Sequence, residues 1–173
     1  RWTAHRNLLL DDQQRCFVAL VPRKPDHGLA ACAAGAEAVV GLRLKGLGPS
    51  GEPLEAHPPL LRRVKGQSRW GDFAYQPVLA RQGRRTTREH QLPLALMALL
   101  LEQEQQADVP SMLVLGGGGR RLEQERVHLS NGLRRQLAEG LRKLQADLER
   151  PLPPPLAADR RKCSLCSWRV ACN

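Results

Sequence analysis

The chain has 173 residues, a length that suits one domain burying roughly two-thirds of its unfolded surface. Aromatic residues make up only 3% of it, so a core has to be built from Leu, Val and Ala, and 27 Lys and Arg against 17 Asp and Glu leave a formal charge of +10. The longest apolar run, residues 92–101, is too short for the ~20 residues of a membrane-spanning helix, and no basic segment followed by an apolar stretch marks a secretory signal. The excess charge favours a polyanionic partner, because Lys and Arg that neutralise phosphates release condensed counterions. A merely solvated basic surface is the ordinary alternative.

In chain order, residues 3–20 are expected to form a helix, broken by the two prolines and the glycine of PRKPDHG at 22–28. Residues 36–47 alternate Leu42 and Leu44 with Arg43 and Lys45, the period of a strand. GPSGEP at 48–53 reads as a turn. Residues 59–66 and 72–83 supply two further strands, so three strands joined by tight turns form an antiparallel meander. A helix follows over 87–106, with Leu92, Leu96, Leu99 and Leu100 at helical spacing, then strands over 111–119 and 122–129. Ser130 is placed to cap a last helix whose apolar face is Leu133, Leu137, Leu141, Leu144 and Leu148. PLPPP at 151–155 ends that helix and acts as a stiff spacer. The order predicts an α/β domain over 1–150, with a central mixed sheet flanked by helices, and a cysteine-cluster tail over 151–173.

That tail, KCSLCSWRVACN, carries Cys163, Cys166 and Cys172 in a C-x2-C-x5-C pattern. Two residues between cysteines let both thiolates face one soft metal from a single turn, and a third sulfur completes one face of a tetrahedron. Structural zinc and an iron–sulfur cluster both suit such a set, and each ordinarily takes four protein ligands. Cys16 and Cys32 are the remaining cysteines, both more ordinary as small buried residues. Five cysteines, three of them clustered, point to a metal site in a reducing cytosol rather than to a disulfide framework. The start at Arg1, without Met, is expected of a segment of a longer chain.

A C-terminal C-x2-C-x5-C with Trp168 after the second cysteine, following an α/β body, resembles the RecB-type nucleases of the PD-(D/E)XK superfamily. These include CRISPR-associated RecB-like exonucleases, the AddB helicase–nuclease subunit and a group of RecB-like nucleases, many of them cyanobacterial. The resemblance covers nearly the whole chain and is most specific in the tail. It implies a [4Fe-4S] cluster held by Cys163, Cys166, Cys172 and one N-terminal cysteine, which in the family precedes the helix carrying a metal-binding His. Cys16 lies after His5, so its fit to that role is open. It also implies a Mg2+ or Mn2+ site built from an acid ending the second meander strand and from an acid and a lysine two apart on the third, where both face the same side.

Carried over residue by residue, the resemblance places the helix His at His5 and the helix Gln at Gln91. Pro59 stands where the first acid belongs, and Leu79 and Arg81 stand where the second acid and the lysine belong. Proline and leucine cannot ligate a divalent cation, and Arg81 keeps a charge without supplying a carboxylate. His5 and Gln91 are then vestigial, unless Asp72, Glu52 or Glu55 stands in as a migrated carboxylate. GGGG at 116–119 lacks the Lys-Ser/Thr of a phosphate loop, since Arg120 and Arg121 follow.

Arg62, Arg63, Arg69, Arg81, Arg84, Arg85 and Arg88 flank neighbouring meander strands and are expected to form one patch at an end of the sheet. Trp70 there could stack on bases, while Tyr75 suits the core better. Three readings follow. The first is a RecB-like, DNA-binding protein with an iron–sulfur cluster and a lost active site, taking single-stranded or forked DNA. The second is an active nuclease with moved carboxylates. The third is a zinc-stapled interaction domain.

Overall fold

Ala74–Val78 are five consecutive buried residues, a pattern that only a strand covered on both faces can carry. They lie in the middle of β6 (Gly71–Ala80), and the rest of the sheet is built outward from it. The computed structural model describes residues 25–81, 86–116 and 123–151, with the backbone alone at 123. The expected helix over 3–20, His5, Cys16, Arg84, Arg85 and the cysteines of the tail lie outside the described residues.

The fold is mixed α/β. Six strands form one sheet in the order β1 (Asp26–His27), β2 (Ala38–Val40), β5 (Leu60–Ser68), β6, β7 (Ser111–Gly116) and β8 (Glu123–His128). The expected meander is there: β2, β5 and β6 are antiparallel neighbours, with Val39 opposite Leu61 and Leu61 opposite Pro77. Its first strand differs from expectation. Residues 36–47 are two strands, because Gly41 adopts φ +67° and turns the chain between Val40 and Leu44. β2 stays in the large sheet, whereas β3 (Leu44–Leu47) leaves it and pairs with β4 (Pro53–Ala56) in a separate two-stranded sheet. A short helix, α1 (Gly28–Ala33), also precedes β2, directly after the expected break at 22–28 and in a stretch for which no element was expected.

Helix α2 (Arg88–Gln105) connects β6 to β7, and these two strands are therefore parallel, with Val78 beside Leu113 and Ala80 beside Leu115. Thr87 starts the helix with a capping box, its hydroxyl on the third-residue backbone and the His90 ring on its own backbone N–H at 3.1 Å. Leu94, Ala95, Met97, Ala98, Leu100 and Leu101 of α2 are buried, and the helix packs against β3, β4, β6 and β7. Gln103 clamps the small sheet to it, accepting from Leu47 N–H at 3.0 Å and donating to the Leu47 carbonyl at 2.7 Å. One face of the large sheet is a buried apolar cluster of Ala38, Val40, Leu60, Val78, Leu113 and Leu115.

The chain divides into two units, Arg1–Glu139 and Gly140–Asn173, so the division falls inside α3 (Asn131–Leu148). In the first unit the expected apolar face of α3 is buried at Leu133 and Leu137. In the second the same face is open, with Leu144 and Leu148 exposed by 55% and 76%. Among the described residues no helix is long and apolar enough to cross a membrane.

Tyr75 and Cys32 tie α1 to the centre of the sheet. The Tyr75 hydroxyl donates to the Ala36 carbonyl at 2.7 Å, and Trp70 and Phe73 meet its ring edge-on at 5.8 and 5.9 Å. Burial, with Glu104 second, pushes the Cys32 thiol up to about 12. Burial, with Cys32 second, pushes the Tyr75 phenol up to about 12. Both groups keep their protons in the fold at pH values where the unfolded chain has lost them. Stability from each is therefore complete below the unfolded value and is lost as pH rises from about 9 for Cys32 and 10 for Tyr75 toward 12. Urea midpoints are expected to be level to about pH 9 and then to fall. A profile level to pH 11 would contradict this, and Cys32→Ala should remove the earlier part of the fall.

Candidate functional site

The carboxyl end of β6 is where a resemblance to nucleases would place the chemistry. Leu79 and Arg81 lie two apart there and so share a face of the sheet. Leu79 sits beside Val114 of β7, and Val114 is opposite Glu125 of β8, so Leu79, Val114 and Glu125 form one row on that face. Arg81 extends the ladder by one residue, donating its N–H to the Leu115 carbonyl at 2.8 Å. Its side chain is 1% exposed and runs across Gly116 to Glu125, with Nη2 3.3 Å from Oε2. A Cβ on Gly116 would lie 2.8 Å from Cγ and Cζ of Arg81 and 2.9 Å from its Nε. The absence of a side chain at Gly116 is what lets the guanidinium cross.

Glu125 also accepts from the Thr86 hydroxyl, just before α2. That hydrogen bond and, after it, the Arg81 charge hold the Glu125 carboxyl below its ordinary range, so it stays ionised at neutral pH. Gln91, in the first turns of α2, lines a cleft of about 310 Å³ together with Glu125, Ser130, Leu133 and Gln136. Glu125 therefore connects two positions singled out in the sequence, Arg81 and Gln91, although sequence reasoning passed it over. The signal was in LEQERVHL at 122–129, where strand alternation puts Glu125 on the same face as buried Val127.

The side chains at the three positions that the resemblance singles out do not fit a divalent cation. Pro59 is buried at the entrance to β5, Leu79 is half-buried, and Arg81 is a cation already committed to Glu125. The other acids are elsewhere. Asp72 is the second residue of β6, about 23 Å along the strand from Leu79. Glu55 lies on β4, where Arg43 at 2.7 Å, then His57 at 2.8 Å, hold its carboxyl low. Glu52 accepts from Ser50 N–H in the β3–β4 turn. Among the described residues no three His, Cys, Asp or Glu side chains converge. Cys32 is fully buried at the centre of the fold, where its backbone carbonyl faces the Tyr75 hydroxyl.

Among the described residues, the basic side chains expected to form one patch are not gathered together. Because β5 and β6 are antiparallel, Arg69 in their turn is at the opposite end of β6 from Arg81, about 33 Å away along the ten-residue strand. Arg69 donates its N–H to the Gln105 carbonyl at the end of α2, whereas Arg88 opens that helix about 27 Å away. Arg62 and Arg63 are consecutive on β5 and point to opposite faces.

Several of these cations are also engaged internally. Arg63 donates to the Gly35 carbonyl and lies over Phe73; Arg69 pairs with Glu104 and lies over Trp70 at 5.3 Å. Trp70 is thus half-buried and stacked by an arginine, and Tyr75 is a core residue at 1% exposure. Lys65, Arg88, Arg126 and Arg135 are exposed and form no ion pair among the described residues. No protein-family model matches this chain, and no curated protein matches it.

Proposed function

We propose that this chain is a RecB-like nuclease-fold protein that binds single-stranded or forked DNA and does not cleave it. The observation that carries the second half is the Arg81–Glu125 pair laid across Gly116. It fills the end of β6 with a neutralised cation where hydrolysis would need a metal-binding carboxylate and a free lysine. Support for the first half comes from three sources. One is the cysteine pattern of the tail. Another is the order of an antiparallel meander, then a helix bearing Gln91 in its first turns, then a parallel strand. The last is the net charge of +10. A [4Fe-4S] cluster on Cys163, Cys166 and Cys172 belongs to the same reading, with Cys16 a candidate for its fourth ligand.

Protein purified without oxygen is expected to carry iron and acid-labile sulfide, to retard labelled single-stranded and forked DNA, and to leave both intact with Mg2+ or Mn2+. Cleavage lost in Glu125→Gln would identify Glu125 as a moved carboxylate and overturn the non-cleaving reading. Zinc without sulfide, together with no DNA retardation, would favour the interaction domain.

A further inference from the structure

Between α2 and the first turns of α3 lies a cleft of about 320 Å³, lined chiefly by Ala95 and Leu99 of α2, by Leu129, and by Leu137 and Ala138 of α3. All of these belong to the first unit. Leu99 is part of the repeat expected of α2, yet it is only half-buried, because it faces this cleft. Apart from two arginines the described lining is apolar, so it suits a body without polar atoms, which would be stranded there.

The two arginines differ. The Arg134 guanidinium donates to both oxygens of Glu102, at 2.6 and 2.7 Å, so what it offers the cleft is its methylene stem. Arg135 is exposed and forms no ion pair among the described residues. Glu139, one turn on, is also exposed and does not pair with it. With Glu102 neutralised by Arg134, the cleft joins an apolar body to one open cation.

Its length selects the occupant. Ala95–Leu99 and Arg134–Ala138 each cover about 6 Å of helix axis. A partner helix docks through anchors at i, i+4 and i+7, about 10 Å of axis, and is longer than the cleft. A bilayer surface is flat and does not enter a concave site. The volume is at the small end of the range for ligand pockets.

We infer that this cleft binds a compact apolar acid, a fused ring or short branched chain, with its carboxylate on Arg135. Burial of the apolar body supplies affinity, and the planar fork of the guanidinium sets the orientation. The inference does not rest on the DNA-binding reading, and the failure of either leaves the other standing.

The test is equilibrium dialysis of the full chain against 2-naphthoate, with 2-naphthamide as its neutral isostere, set beside urea midpoints. 2-Naphthoate is expected to bind with a Kd below about 1 mM, the weak end for a ligand of this size. 2-Naphthamide should bind at least fivefold more weakly, and added salt should weaken only the acid. Arg135→Ala should remove the difference between the two and leave 2-naphthamide binding unchanged. Ala138→Phe, which places a ring in the cleft, should abolish binding of both and keep or raise the urea midpoint. The Arg135 arm concerns an exposed side chain and reads independently of how Ala138→Phe folds.

No binding of 2-naphthoate up to about 1 mM would overturn the inference. A preference for the acid that survives Arg135→Ala would take the anion away from Arg135 and overturn it too. So would binding that survives a folded Ala138→Phe chain. A chain that sediments as a dimer, and as a monomer after Ala138→Phe, would give the cleft to a second copy and also overturn it.

Discussion

Gly116→Ala is expected to lower stability by about 2–3 kcal/mol, and to do so only while Arg81 is present. The added Cβ falls within 2.9 Å of three Arg81 side-chain atoms, closer than such contacts tolerate. The part of Arg81 that lies there is the body of a side chain that is 1% exposed and paired with Glu125. Arg81→Ala alone should also destabilise, through lost packing and the lost ion pair. It leaves no stranded buried charge, because Glu125 is 45% exposed and keeps Thr86. With Arg81 shortened, those three close contacts are gone, so the double variant should cost clearly less than the two single costs added. Urea unfolding of the four proteins closes the cycle. Strict additivity would mean that the two residues do not share the space, and would remove the physical basis for reading the end of β6 as a filled site.

Gln105→Leu should cost about 2–4 kcal/mol, a large effect for a change that keeps the shape of the side chain. Gln105 is fully buried at the end of α2, where its oxygen accepts from Tyr75 N–H at 2.9 Å and its nitrogen donates to the Ala107 carbonyl at 3.1 Å. Leucine would strand a backbone donor in the middle of the most buried strand of the sheet. Gln103, two residues earlier, makes the same kind of paired contact to Leu47 but is exposed, and water can take over both of its partners. Gln103→Leu is therefore expected to cost under about 1 kcal/mol. Equal losses would show that burial does not set the value of these amides.

Both predictions concern residues that look unremarkable in the chain, and this marks the limit of what patterns reveal. The existence of α2, the β5 and β6 strands, and the order of meander, helix and strand follow from periods of 3.6 and 2 and from turn residues. Of the expected repeat Leu92, Leu96, Leu99 and Leu100, however, only Leu100 is buried; the buried apolar residues also include Leu94, Ala95, Met97, Ala98 and Leu101. Local signals also carried the start of α2, because Thr87 and its capping partner His90 are three residues apart. The alternation around Leu42 and Leu44 was legible as a strand. Which sheet it joins was not, because a single left-handed Gly41 redirects the chain and nothing in its neighbours announces it.

The candidate site divides along the same line. By itself the sequence determined the cysteine pattern, the charge, and the absence of carboxylates at positions 59, 79 and 81. These are properties of residue identity and spacing. Consecutive strands are neighbours, which suggested one basic patch; among the described residues, antiparallel pairing sends Arg69 and Arg81 to opposite ends of β6. Only the tertiary structure decided that Glu125, forty-four residues from Arg81, meets it across Gly116, and that the Gln105 amide reaches Tyr75 N–H, thirty residues away. Strand register sets the first of these. Register is a relation between segments distant in sequence, fixed by which faces bury together rather than by any residue's own preference.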